Sequence, residues 1–160
     1  MANEHRSGLE QWFENLIPHI RDFFAENGYP LGADRDVSIE FEPHEIPSNR
    51  KGYKTCATTS SCLCPDSEYL NHGEVVVYLA NMENTPELVE SIFHELDHVL
   101  WVFQGNNLEE EQVPWFRPSE LRARSVARYW LKKLIRTGGI TDVPINDIVC
   151  RGHDHDKAGE

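Results

Sequence analysis

The sequence has little of what membrane, secreted or nucleic-acid-binding proteins usually need. It contains no apolar run that approaches membrane-spanning length, and residues 1–8 are polar, so it predicts neither a transmembrane helix nor a signal peptide. A cytoplasmic location is therefore the default expectation. Cationic residues are also scarce, since 15 Lys+Arg face 27 Asp+Glu and give a net charge of −12. Because binding to phosphates requires a basic surface, we expect no direct binding of nucleic acid and no membrane partner.

Cysteine is scarce as well, and its four positions are Cys56, Cys62, Cys64 and Cys150. In a reducing compartment so few thiols do not predict a disulfide framework. The spacing C-x5-C-x-C, with a His-x-His pair starting at His153 close to the fourth cysteine, allows a second, structural zinc site. This spacing differs from the C-x2-C pair that is usual in structural zinc sites. The alternative to a zinc site is that the cysteines are buried free thiols that pack as small apolar groups.

The totals are those of an ordinary globular protein. An apolar fraction of 39% and a charged fraction of 26% over 160 residues suggest one domain with a sizeable core. We expect an N-terminal tail at residues 1–8, a domain at 9–138, and a C-terminal extension at 139–160 that could pack on it.

Hydrophobic periodicity predicts an α+β fold. Apolar residues recur near the helical period from 9 to 27, where Pro18 marks either a kink or the start of a second helix. Alternating or β-branched stretches predict three strands, and two further helices follow the last of them. This order predicts a small, three-stranded or slightly larger, mostly antiparallel sheet packed against helices. The expected strands lie at 37–42, 53–59 and 74–79, and the later helices begin near Thr85 and Pro118.

The strongest chemical signal is the motif His-Glu-x-x-His at residues 94–98, flanked by apolar residues at helical spacing. Residues four apart lie on the same face of a helix, so His94 and His98 could both bind one metal ion. Glu95 is then placed to reach a water bound to that metal without binding the metal itself. A buried helix of this kind also needs partners for its ionisable groups. The motif therefore predicts a zinc site with Glu95 as general base.

Two imidazoles do not complete a tight zinc site, and Glu120 is the first candidate for a third ligand. It stands 22 positions after His98 in the first turn of a predicted helix, and the small residues Ala123 and Ala127 follow it. Small residues there would let that helix approach the motif helix closely. The alternative is an ordinary glutamate that complements the helix dipole. Arg124, one turn later, could orient Glu120 or pair with the aspartate inside the motif.

The motif at 94–98 together with Glu120-Leu121-Arg122-Ala123 resembles the minimal gluzincin metallopeptidases, whose pattern is HExxH followed by ExxA. The order of elements is similar to that of ImmA/IrrE-type and phage zincin-like domains, over roughly residues 70–136. The resemblance implies a zincin-like fold, zinc bound by His94, His98 and Glu120, and Glu95 as general base. It also implies a peptide or protein substrate, aligned along the strand at 74–79 as an edge strand.

Asp97 inside the motif resembles a different family, the peptide deformylases, which carry His-Glu-x-Asp-His. In those enzymes a cysteine from an upstream strand is the third metal ligand, and by that resemblance Cys62 or Cys64 would take this role. The position of Glu120 at the start of its helix then has no role in the site.

A third hypothesis is a non-catalytic protein whose acidic surface binds a protein or imitates DNA, with zinc retained only for folding.

Overall fold

The computed structural model describes residues 8–43, 56–59, 71–106 and 117–148. Within these ranges the elements are α1 (Gly8–Glu26), β1 (Asp36–Glu42), β2 (Ala57–Thr59), β3 (His72–Tyr78), a short 3-10 turn (Leu79–Asn81), α2 (Thr85–Phe103), α3 (Pro118–Arg136) and α4 (Ile145–Ile148). The predicted α+β class is confirmed at this level. None of the helices in the described ranges combines the length and the apolar content that crossing a membrane requires.

The first predicted helix is one element rather than two. Helix α1 passes through Pro18 without a break, with the proline on its exposed side. Its inner face buries Leu16, Ile20 and Phe23. It ends where Gly28 adopts a φ of +85°, a conformation that glycine reaches at little cost.

Helix α2 begins and ends where the sequence predicts. The side chain of Asn84 accepts a hydrogen bond from the backbone N–H of Glu87, and a proline lies at the start of the first turn. At the other end Gly105 has a φ of +90°. Thirteen of the helix's 19 residues are buried, including the aspartate and one histidine of the motif. The buried polar residues of the motif therefore lie against other parts of the protein rather than in a solvated stripe.

The sheet differs from the mostly antiparallel one that the sequence predicts. Its order is β1-β3-β2, with β1 parallel to β3 along seven residue pairs and β2 antiparallel to β3 along three. The expectation that the strand at 74–79 lies at an edge is also wrong, because β3 is central. A parallel pairing needs a crossover of a dozen residues or more, and the segment 43–71 supplies that length.

One face of the sheet is buried against the helices. In the parallel register Val37, Ile39 and Phe41 lie beside Gly73, Val75 and Val77, and the two valines are 1% and 0% exposed. Gly73 allows a close approach, since a Cβ atom there would lie 2.5 Å from Cγ1 of Val99 on α2. The sheet therefore meets the motif helix at very short range.

Aromatic side chains join the three long helices. The rings of Phe93 (α2) and Trp130 (α3) stack with centroids 5.1 Å apart, and Phe23 (α1) meets both rings edge-on at 5.8 and 5.9 Å. Burying one such aromatic side chain stabilises the folded state by roughly 1.5–3 kcal/mol, and each contact between two rings adds about 0.5–1.5 kcal/mol. This cluster fixes α2 and α3 relative to each other.

The segment after α3 holds the start of α2. The Thr85 hydroxyl bonds to the carbonyl of Thr141 and accepts the N–H of Val143 at 3.0 Å, while Ile145 donates to the carbonyl of Glu83 at 2.8 Å. Ile145, 1% exposed, opens the short helix α4, which the sequence did not predict.

Candidate metal centre

Helix α2 presents both motif histidines on one face. The ring centroids of His94 and His98 are 4.9 Å apart, as the i, i+4 spacing predicts. The side chain of His98 is 6% exposed and that of His94 is 21% exposed. His98 therefore lies in the core, and His94 lies one turn nearer to the surface.

Glu120 meets both histidines from the first turn of α3. Its Oε1 lies 2.8 Å from His98 Nε2 and its Oε2 lies 3.0 Å from His94 Nε2. The approach is possible because Ala123 and Ala127 are fully buried between the helices. The structure thus brings together the three ligands predicted from the sequence, with their donor atoms all within 4.8 Å of one another.

The donor set suits a zinc ion. Imidazole nitrogen and carboxylate oxygen are both common ligands of zinc in proteins. Two donors bound to one zinc ion at tetrahedral angles lie about 3.4 Å apart. Glu120 contacts the two imidazoles directly, at hydrogen-bond distances of 2.8 and 3.0 Å, so the three side chains already lie close enough together to share one ion. In the described part of the chain, His98 Nδ1 is buried without a hydrogen-bond partner, so Nε2 is the atom through which this ring makes its polar contact. The three residues could therefore hold one metal ion.

Glu95 lies beside the three donors and is held by a residue that sequence reasoning missed. The hydroxyl of Thr59 donates to Glu95 Oε1 at 2.6 Å, and Glu95 Oε2 lies 3.8 Å from His94 Nε2. Thr59 faces α2 because it pairs with the buried Val75 in the antiparallel register. The only signal in the sequence is a threonine-rich strand, which gives no indication of this contact.

Burial and charge act in opposite directions on the ionisable groups of the centre. Burial raises the pKa of Glu95 above its ordinary value, although the nearby imidazoles and the Thr59 hydroxyl lower it in part. For Glu120 burial also raises the pKa, but hydrogen bonds from His94 and His98 outweigh it and hold the pKa of Glu120 well below its usual range. Burial lowers the pKa of His98, yet its bond to Glu120 and the neighbouring carboxylates bring it above the ordinary value.

Asp97 contacts a different partner from the candidate metal ligands. Asp97 as a residue is 1% exposed, and its carboxylate accepts the N–H of Arg122 Nε, with Oδ2 at 3.0 Å and Oδ1 at 3.2 Å. The guanidinium of Arg122 also lies 4.9 Å from the ring centroid of Trp101. Arg124 instead donates to the backbone carbonyl of Glu120 at 3.4 Å, so the partner of Asp97 is not the arginine that the sequence suggested. The aspartate has a structural role that needs no deformylase-like site.

The proposed second zinc site falls largely on residues that the structure does not describe. Cys62, Cys64, Cys150 and His153 lie outside the described ranges. Cys56 is half-buried, with its Sγ 3.9 Å from the carbonyl oxygen of Asn81. Cysteine ligation, whether structural or deformylase-like, therefore stays a prediction.

Comparison of the chain with protein-family models, curated proteins and solved structures found no match. A functional assignment therefore depends on the geometry of His94, Glu95, His98 and Glu120.

Proposed function

We propose that this protein is a zinc-dependent hydrolase of peptide amide bonds, with His94, His98 and Glu120 as metal ligands and Glu95 as general base. The observation that carries the proposal is the convergence of the three donor side chains from two helices within 4.8 Å, beside a buried carboxylate. The resemblance to gluzincin peptidases supports the same ligands and the same base.

Zinc bound by these residues would lower the pKa of a water molecule and polarise the carbonyl of the scissile bond. Glu95 would accept a proton from the attacking water as the water oxygen forms a bond to the carbonyl carbon. The same carboxyl would then give that proton to the amine nitrogen as the carbon–nitrogen bond breaks. Burial raises the pKa of Glu95 and so favours the uptake of that proton.

The position of β2 supports an extended peptide as substrate. Within the described residues β2 pairs only with β3, so it is an edge strand, and Thr59 at its end contacts Glu95. A peptide that adds to a sheet edge satisfies its backbone groups by strand pairing. An edge strand beside the general base is suited to hold a peptide bond near it.

Metal content is the first test. We expect the wild type to bind about one zinc per chain and the variants His94→Ala and Glu120→Ala to lose it. Glu83→Gln, which removes an exposed carboxylate outside the centre, is the matched control and should keep its zinc. Loss of zinc in Cys62→Ala or Cys64→Ala, with Glu120→Ala unaffected, would favour the deformylase-like alternative instead.

Activity is the second test. Wild type and Glu95→Gln, both loaded with zinc, are incubated with a mixture of unstructured peptides, and the products are identified by mass spectrometry. We expect cleavage by the wild type and a loss of at least about a hundredfold in Glu95→Gln, because that side chain cannot accept the proton. Equal zinc content with no cleavage by either protein would contradict the hydrolase proposal.

A further inference from the structure

The outer side of α3 combines charge and apolar surface in a way that the rest of the described chain does not. Among the described residues, the large hydrophobic side chains that are exposed are Leu121, Tyr129 and Ile135, at 50, 57 and 53%. Three exposed cations lie on the same side of the helix. Together these six residues form the α3 outer face: Leu121, Arg128, Tyr129, Lys132, Ile135 and Arg136.

Charge along the chain is strongly segregated. Residues 117–136 contain seven of the 15 Lys+Arg and one of the 27 Asp+Glu, which gives this segment a net charge of +6. Since the whole chain carries −12, the remaining residues carry −18. Six of the 15 cationic side chains thus lie on α3 itself, and a seventh, Arg117, directly precedes it.

The cations of this face follow the helical repeat. Arg128, Lys132 and Arg136 are four residues apart, and Arg124 precedes them at the same spacing. Like charges at this spacing destabilise a helix. Although the chain is rich in carboxylates, no Asp or Glu lies between Arg124 and Arg136 to offset this repulsion. In the described structure Arg128, Lys132 and Arg136 form no ion pair. The helix dipole explains a cation in the last turn, at Arg136, but not one at Arg128 in the middle of the helix.

The shape and the charge of the face favour a protein partner. From Leu121 to Arg136 the face is about 22 Å long, at 1.5 Å per residue, and only one helix wide. A DNA duplex or an anionic bilayer extends beyond such a stripe and meets the acidic remainder of the molecule, which repels it. A short acidic segment of another protein fits within it. The exposed leucine, tyrosine and isoleucine match apolar side chains rather than phosphates.

We propose that the α3 outer face binds an acidic, amphipathic segment of a partner protein. That segment is a helix with carboxylates about one turn apart, facing Arg128, Lys132 and Arg136, and with large apolar side chains that cover Leu121, Tyr129 and Ile135. This inference does not depend on the proposed hydrolysis, because none of the six residues belongs to the metal centre.

Selection from a displayed peptide library tests the proposal. Random peptides of about 16 residues, long enough to span the face as a helix, are selected on the wild type after depletion on Arg128→Glu. We expect the enriched peptides to carry Asp or Glu at i, i+4 together with large apolar residues. A selection that yields no such pattern would overturn the proposal.

Affinities of one enriched, fluorescently labelled peptide make the test quantitative. We expect Arg128→Glu to weaken its binding by about tenfold or more, Ile135→Ser by several-fold, and added salt to weaken it further. Arg21→Glu, an exposed charge reversal on α1 with the same change in net charge, should bind like the wild type. Equal weakening in Arg21→Glu would show a general charge effect and contradict a specific face.

The same variants also test whether the substitutions disturb folding and whether something other than a protein segment binds the face. Arg128→Glu places a carboxylate between Arg124 and Lys132 at helical spacing, so it should not lower thermal stability. A short DNA duplex, phosphatidylserine-containing vesicles and self-association are measured with the same variants. One of these three could bind to the wild type and to Arg21→Glu but not to Arg128→Glu. That result would assign the face to that occupant and overturn the proposal.

Discussion

Thr59 donates a hydrogen bond to the side chain of Glu95, with 2.6 Å between Thr59 Oγ1 and Glu95 Oε1. The same hydroxyl lies 3.2 Å from the backbone carbonyl oxygen of Glu95. With Oε1 held in this way, Oε2 remains on the side of the histidines, 3.8 Å from His94 Nε2. Strand β2 thus orients the carboxylate that helix α2 supplies, which makes Thr59 a positioning residue for the proposed general base.

Thr59→Val removes this hydroxyl while keeping the size and the branching of the side chain. We expect kcat to fall by about 10- to 100-fold, with KM and zinc affinity little changed, because such supporting contacts orient a reactive group rather than bind substrate. Since the hydroxyl lowers the pKa of Glu95, its loss should also move the acid limb of the pH–rate profile to higher pH. Steady-state kinetics across pH measure both effects.

Two further variants test whether the hydroxyl itself is responsible. Thr59→Ser keeps the donor and should retain most of the activity. Thr58→Val changes the neighbouring threonine, which is exposed on the other face of the strand, and should leave kcat unchanged. A similar loss of kcat in Thr58→Val and Thr59→Val would assign the effect to the strand as a whole.

Arg122, two residues after the proposed metal ligand Glu120, joins α3 to Asp97 on α2. The side chain of Asp97 is 2% exposed, whereas that of Arg122 is 31% exposed. Arg122→Met therefore leaves a carboxylate buried without its cation, and we expect a loss of about 3 kcal/mol in the free energy of unfolding. Asp97→Asn leaves a partly exposed arginine that water can reach, and should cost only about 1 kcal/mol.

Urea unfolding measures these differences, and the double variant completes the cycle. Asp97→Asn/Arg122→Met should lose less than the sum of the single changes, because the buried charge is gone. Arg128→Met, on the exposed side of the same helix, is the control and should change stability by less than about 0.5 kcal/mol. Additive losses would show that the two side chains do not act as a pair.

The parts of the site that depend on helical spacing could be predicted from the sequence. His94 and His98 share a face because four residues make about one turn, and this geometry is local. Glu120 required a longer inference, from a glutamate in a first turn followed by small residues at Ala123 and Ala127. The structure places these three side chains together.

Contacts that depend on strand register or on the rotation of a helix could not be predicted. Thr59 meets Glu95 only because β2 pairs with β3 opposite Val75, and a shift of one residue would turn its side chain to the other face. Asp97 pairs with Arg122 and not Arg124 because these arginines point about 200° apart on the helix, and packing selects one of them. The parallel pairing of β1 with β3 is likewise set by contacts between distant segments.

Gly73 is the point where β3 comes closest to α2. A Cβ atom there would lie 2.5 and 2.9 Å from the two γ-carbons of Val99, the residue after His98. Valine is stiff about χ1 and cannot move aside easily, so Gly73→Ala should destabilise the fold by about 1–3 kcal/mol. Gly73→Ala/Val99→Ala should recover part of that loss. Gly32→Ala, where nothing lies within 4 Å of the added carbon, should be nearly neutral in urea unfolding.

His72 links the first residues of the two parallel strands and makes stability depend on pH. Its Nδ1 lies 2.5 Å from Asp36 Oδ1 and its Nε2 lies 3.2 Å from Glu74 Oε2. The hydrogen bond to Asp36, followed by the charges of both carboxylates, raises the pKa of His72 although burial lowers it. A group whose pKa is higher in the folded state stabilises that state fully below its unfolded pKa, near 6.5. That contribution is lost as the pH rises through the folded pKa.

His72→Gln tests this linkage, because glutamine keeps hydrogen-bonding groups but takes up no proton. The wild type should exceed the variant in unfolding free energy by roughly 0.2–1 kcal/mol at about pH 5, since Asp36 is well exposed and water screens the pair. The difference should shrink towards about pH 9 and should also shrink with added salt at the lower pH. A difference that stays constant across this range would mean that protonation of His72 does not contribute to holding β1 against β3.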